Sequence, residues 1–241
     1  MTAQASRRLA LLLALALTLA GCGKTTGDVI DEQRPAMNAL RTQLSDIALA
    51  LPDQAASQSA PANLSPPPRY GTDDANTDIM MYDQMFDPED GMRDPTDFDL
   101  LMSNIILLPL RWSGPGNPLA ESFLNDSAGD FDQRFTRAAG LSYVGVARVR
   151  SYEPAVAIDA ENYTGGSAEI EGFLVSLSTN EVLCSFSVSA APDESVSYTY
   201  KEDQDPRSQL ENFVRSSTWE DGRTKLLSSF GEFCGGEFVA N

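Results

Sequence analysis

Apolar residues at Met37, Leu40, Leu44, Ile47 and Leu51 recur at alternating spacings of three and four. This spacing puts them on one side of an amphipathic helix, which Pro35 would open and Pro52 would end. A second helical stretch is expected from a cap at Asp97 to about Leu108, with Leu100, Leu101, Asn104, Ile105 and Leu108 in register and Pro109 as its stop. Phe131, Phe135 and Ala138 predict a short helix ended by Gly140. From Tyr143 the period falls to two: Tyr143, Ala147 and Val149 share one face of a strand.

After Gly165-Gly166, Phe173, Val175 and Leu177 alternate with Leu174 and Ser176. Beyond Ser178-Thr179-Asn180-Glu181, Cys184, Phe186 and Val188 alternate with serines. The pattern predicts a long β-hairpin, with Asn180 suited to the left-handed turn position. Ser195 to Tyr200 is a candidate edge strand. Asp205-Pro206, a cap followed by a first-turn proline, opens a C-terminal helix with Leu210, Phe213, Val214 and Ser217 on one face. Gly222 is expected to break or bend it before Leu226, Leu227 and Phe230, and Gly231 to end it. The fold class expected is α+β: a small, mainly antiparallel sheet built on a long hairpin and packed by helices, after an N-terminal helix and a Pro-rich spacer.

The start of the chain is patterned differently. Arg7 and Arg8 precede an apolar run from Leu9 to Leu17 that leads through Thr18, Leu19 and Ala20 to Gly21 and Cys22. A positive start, a short apolar stretch and small residues make a signal peptide, and about 12 residues, about 18 Å as a helix, fall short of the roughly 30 Å hydrocarbon core of a bilayer. Leu19-Ala20-Gly21-Cys22 resembles the lipobox of bacterial lipoproteins. The resemblance implies cleavage before Cys22, a diacylglycerol on its thiol and retention on a membrane by the acyl chains. An ordinary secretory signal with an incidental cysteine is the alternative. Gly23 stands where inner-membrane lipoproteins typically carry Asp, which by the same resemblance implies an outer-membrane location facing the periplasm.

Three segments follow from these readings: residues 1–21 as signal peptide, 22–69 as lipidated tether with helix and linker, and 70–241 as a periplasmic α+β domain. Gly23 to Gln33 is polar enough for a tether. Asp53 to Arg69 is rich in Ala, Ser, Gln and Pro and closes with Pro66-Pro67-Pro68, an extended spacer. The stripe from Met37 to Leu51 has two readings, packing on the main domain or a self-associating coiled coil.

Composition narrows the chemistry. The 241 residues carry a formal net charge of −18, and loss of the first 21 leaves 35 acidic against 15 basic residues, a balance of −20. Such a chain repels nucleic-acid phosphates, so no nucleic-acid partner is expected, and the acidity reads as solubility. The absence of histidine removes the usual general base and the commonest transition-metal ligand. No cofactor and no enzymatic activity are expected.

The acidic stretch Asp83 to Asp99 invites a calcium reading. Counting back from Gly91 or Gly129 to the first ligand of a calcium loop gives Phe86 or Leu124, so a solvated loop is expected instead. Gly23-Lys24-Thr25 lacks the earlier glycine of a phosphate-binding loop, because Thr18 stands there. Cys184 and Cys234 are expected to pair in an oxidising compartment, two buried thiols being the alternative. Trp112, in the Arg111 to Pro118 loop, reads either as presented to a partner or as closing a core. The Thr179-Asn180 turn is the other candidate contact.

Ala139-Gly140-Leu141-Ser142-Tyr143-Val144-Gly145-Val146, with the preceding helix, the 174–188 run LVSLSTNEVLCSFSV and the C-terminal helix, resembles a family of small periplasmic domains. These occur in the curli-secretion lipoprotein, in lipoprotein activators of penicillin-binding proteins and in the amino-terminal domain of the Tol-system translocation protein. The resemblance implies an α+β adaptor without a catalytic centre, and no functional residue is carried over from it; with the separate lipobox reading of Cys22, the expectation is a membrane-anchored protein partnered by another envelope protein. Two further hypotheses stand beside it: a carboxylate-based cell-wall glycan hydrolase, and a small-ligand binder with the Trp112 and Gly165-Gly166 loops as lips.

Overall fold

A computed structural model describes residues 24–60, 64–87, 105–114, 128–193 and 205–240. The fold is α+β, as expected. Among the described residues its main sheet has four strands, in the order β2 (Thr77–Met81), β3 (Tyr143–Glu153), β6 (Ser167–Ser176) and β7 (Val182–Ala190). β2 runs parallel to β3, and the other two pairings are antiparallel. β1 (Arg69–Tyr70) pairs in parallel with β8 (Glu237–Phe238), and β4 (Val156–Ala157) with β5 (Tyr163–Thr164) in antiparallel.

Both faces of the sheet are covered. On one, Val144, Val146, Phe173, Val175 and Met80 meet α1 (Thr26–Ala50), α2 (Leu107–Ser113) and α3 (Ala128–Ala139). On the other, Ile79, Tyr143, Ala147, Leu174, Cys184 and Phe186 meet Leu226, Leu227 and Phe230 of α4 (Pro206–Cys234). The side-chain alternation read from the sequence therefore sorts β3, β6 and β7 onto two cores. Gly172 lies under Phe186, whose ring occupies the space a Cβ would need and stands edge-on to Phe230 at 4.9 Å.

Several boundaries differ from expectation. α1 begins at Thr26, where Thr25 and Asp28 form a reciprocal capping box, so Pro35 lies inside the helix and Gly23 to Gln33 is not a tether throughout. Val29 and Ile30, near the helix start, are already buried, and the Met37 to Leu51 stripe packs against the sheet and α3. Pro109 lies in the first turn of α2, where its missing N–H has no intrahelical acceptor to lose, so it does not stop a helix there. The expected helix from Asp97 lies outside the described residues as far as Asn104. α4 runs through Gly222 and Gly231 to Cys234, and Gly235, at φ 70°, ends it.

The stretch after α1 is a strap. Pro52 O accepts from Arg148 at 2.8 Å, Ala56 N–H donates to Ser185 Oγ at 3.2 Å, and Gln58 exchanges two backbone hydrogen bonds with Ser185. Ala60 N–H then donates to Phe233 O at 2.8 Å. The chain thus rounds the outer edge of β7 from one face of the sheet to the other and occupies part of an open strand edge. Lys225 Nζ covers another part by donating to Ser189 O at 3.0 Å.

Asp205 caps α4 as read from the sequence: its carboxylate accepts from Ser208 N–H at 3.0 Å and from the Ser208 hydroxyl at 2.9 Å, which holds its pKa below the ordinary 3.8. Because the folded value lies below the unfolded one, this stabilisation is fully present above pH 3.8 and is lost as pH falls through the folded value. The difference in urea midpoint between wild type and Asp205→Ala is expected to be constant near neutrality and to narrow below pH 3.8.

Candidate functional site

A cleft of about 350 Å³ opens where β3 begins and β6 ends. Apolar side chains line it from Leu40 of α1, Ala138 and Ala139 of α3, Pro66, and Leu141 and Leu177 in the loops beyond. Hydroxyls line it as well, from Ser65, Ser142, Tyr143, Ser176 and Ser178, with the amide of Gln43. None of the described residues that line it is charged, although the chain as a whole carries 52 charged side chains.

The Thr179-Asn180 turn stands beside this cleft. Asn180 takes φ 58°, the left-handed conformation expected of it, and both turn residues are exposed. Gln43 holds the turn down, donating to Leu177 O at 2.5 Å and to Asn180 Oδ1 at 2.7 Å. Ser176 and Ser178 share a hydroxyl hydrogen bond at 2.9 Å, and Thr179 N–H donates to Ser176 Oγ. Tyr143 OH donates to Pro66 O at 2.7 Å, and burial pushes its pKa up, so it is a neutral donor at any physiological pH. The cleft presents fixed, uncharged donors and acceptors beside apolar side chains, with the exposed Glu181 at the far end of the turn. It suits a neutral segment with its own hydrogen-bonding groups better than an ion.

Other expected site residues lie elsewhere. Cys184 and Cys234 form a disulfide, with Cα atoms 5.4 Å apart, between β7 and the end of α4. Trp112 is not presented to a partner. It sits on α2 at 6% exposure, with its ring 4.6 Å from that of Phe131 and 6.2 Å from that of Phe135, and the Arg134 guanidinium lies over it at 5.7 Å. Gly165-Gly166 belongs to the α4 side of the molecule, where the Gly166 carbonyl accepts from buried Thr218 at 2.6 Å. Trp112 and that loop therefore do not face each other as lips of one site. Cys22 lies outside the described residues, as do the acidic positions from Glu89 to Asp99 and the candidate strand Ser195 to Tyr200.

A buried ion pair was missed in the sequence. Arg148 places Nε and an NH2 nitrogen 2.9 and 2.7 Å from Glu171 Oε2, while Glu171 Oε1 accepts Ala55 N–H at 2.8 Å. The signal was present in the strand parity: Arg148 follows Val144 and Val146, and Glu171 precedes Phe173 and Val175, on the same inward face. Among the described residues, no group of three or more His, Cys, Asp or Glu side chains is placed to hold a metal ion. No helix among them is long and apolar enough to cross a membrane.

No protein-family model matches the chain, and no curated protein or solved structure is detectably similar to it.

Proposed function

We propose that this chain is a lipid-anchored, non-enzymatic envelope protein that binds another envelope protein through the 177–181 turn and the cleft beside it. The observation that carries the binding surface is the exposed Thr179-Asn180 turn, clamped by Gln43 at the edge of a cleft lined by hydroxyls and by uncharged described residues. The Leu19 to Cys22 lipobox supports the anchor, and Gly23 after it supports an outer-membrane location facing the periplasm. The partner contributes a neutral segment that exchanges hydrogen bonds with the serine hydroxyls and lays apolar surface on Leu40, Leu141 and Leu177.

A photoreactive residue in place of Thr179 is expected to trap one dominant envelope protein in cells. Labelling no higher than at an exposed control position such as Asp53 would sink the adaptor reading. Cys22→Ser is expected to release the protein from the membrane fraction, and a variant that still sediments with membranes would overturn the anchor.

A further inference from the structure

The length of chain between the lipid and the fold limits where the binding surface can act. The sequence pattern alone reads Gly23 to Gln33 as a short tether after Cys22, but α1 starts at Thr26 and is held in the core near its start by Val29 and Ile30. Three residues, Gly23, Lys24 and Thr25, separate Cys22 from that helix. At full extension the link from Cys22 to Thr26 spans about 14 Å. Along α1, Thr26 and Gln43 are about 26 Å apart, and Gln43 touches the 177–181 turn. Were the strap and α1 detached from the domain, the same residues would reach more than about 100 Å.

The surface is also small. The five residues of the turn and the twelve that line the cleft share Leu177 and Ser178, so the surface comprises 15 residues, below the roughly 20 to 30 that each partner contributes to a stable soluble complex. A weak contact becomes effective when both partners are confined at high local concentration, and a short, stiff link gives that advantage only to molecules held in the same layer.

We infer that the turn and cleft work within about 50 Å of the bilayer that holds Cys22, and that they dock an uncharged segment of a protein embedded in or anchored to that same membrane. This inference rests on the lipid-anchor reading of Cys22.

The test uses the full lipidated protein in phosphatidylcholine vesicles carrying an acceptor-labelled lipid, with a donor dye on Asp31→Cys in one preparation and on Glu181→Cys in another. Both positions are exposed. Energy transfer is expected from both, with the Glu181 donor within about 50 Å of the bilayer surface. Strong transfer from the Asp31 position with a Glu181 donor beyond that distance would overturn the short reach and leave the anchor standing. No transfer from Asp31 would overturn the anchor itself, and the inference with it. The protein trapped at Thr179 decides the rest: one that remains with membranes after alkaline extraction supports the inference, and a water-soluble one overturns it.

Discussion

Replacing Cys184 and Cys234 together by alanine is expected to lower the free energy of unfolding by about 4 kcal/mol. The bond closes a loop of 50 residues, and that much chain gains conformational freedom in the unfolded state when the link is lost. Its position adds a local effect. Cys234 is the last residue of α4, and the short β8 that follows pairs with β1, so release at this point loosens the C-terminal strand as well as the helix end. Urea unfolding checks this directly. A reductant is expected to bring wild type to the midpoint of the double variant and to leave the variant unmoved. Equal midpoints for wild type and variant under oxidising conditions would show that packing around Phe186, Phe230 and Phe233 holds the two elements without the bond.

Glu171→Ala is expected to cost about 3 kcal/mol, because it leaves the Arg148 guanidinium without its carboxylate in a largely buried place. Glu171 is 5% and Arg148 13% exposed at the side chain, and the Arg148 guanidinium lies over the rings of Phe173 and Tyr82 at 4.9 and 5.6 Å. Arg150 approaches the same carboxylate at 3.7 Å but is more exposed and contributes less. Glu171 also holds the strap through Ala55 N–H. Glu171→Gln keeps an acceptor for that bond and is expected to lose less than alanine. Replacing Arg148 and Glu171 together by methionine is expected to recover most of the loss, since neither charge is then left alone. Urea titrations of the three variants supply the comparison, and faster hydrogen exchange at Ala55 in Glu171→Ala, but not in Glu171→Gln, would place the strap's attachment at this carboxylate.

Local pattern and structure agree where one short-range rule governs the outcome. Phe131, Phe135 and Ala138 repeat at helical spacing and are buried together; Asp205 and Pro206 open α4; Asn180 takes the left-handed turn position. Each depends on residues within four positions of itself. The structure departs from the local pattern where a preference of about 1 kcal/mol for glycine, or about 3 kcal/mol for an interior proline, meets a larger tertiary term. Gly222 is buried and Gly231 is helical, yet α4 continues through both because Leu226, Leu227 and Phe230 are pressed against the sheet. Pro35 is carried inside α1 because the capping box at Thr25 and the buried Val29 and Ile30 begin the helix nine residues earlier.

The α+β class, the parity of strands β3, β6 and β7 and the N-terminus of α4 are legible in the chain, since side-chain period and capping chemistry are written in neighbouring residues. Long-range packing settles that Trp112 is buried against Phe131, that the Ala- and Pro-rich stretch rounds the β7 edge, and that a cleft lined by uncharged described residues forms beside Asn180. These outcomes join residues far apart in the chain, Gln43 to Asn180 across 137 positions and Ala60 to Phe233 further still. Which distant surface covers a ring or an open strand edge depends on the packing of the whole chain, which no local period records.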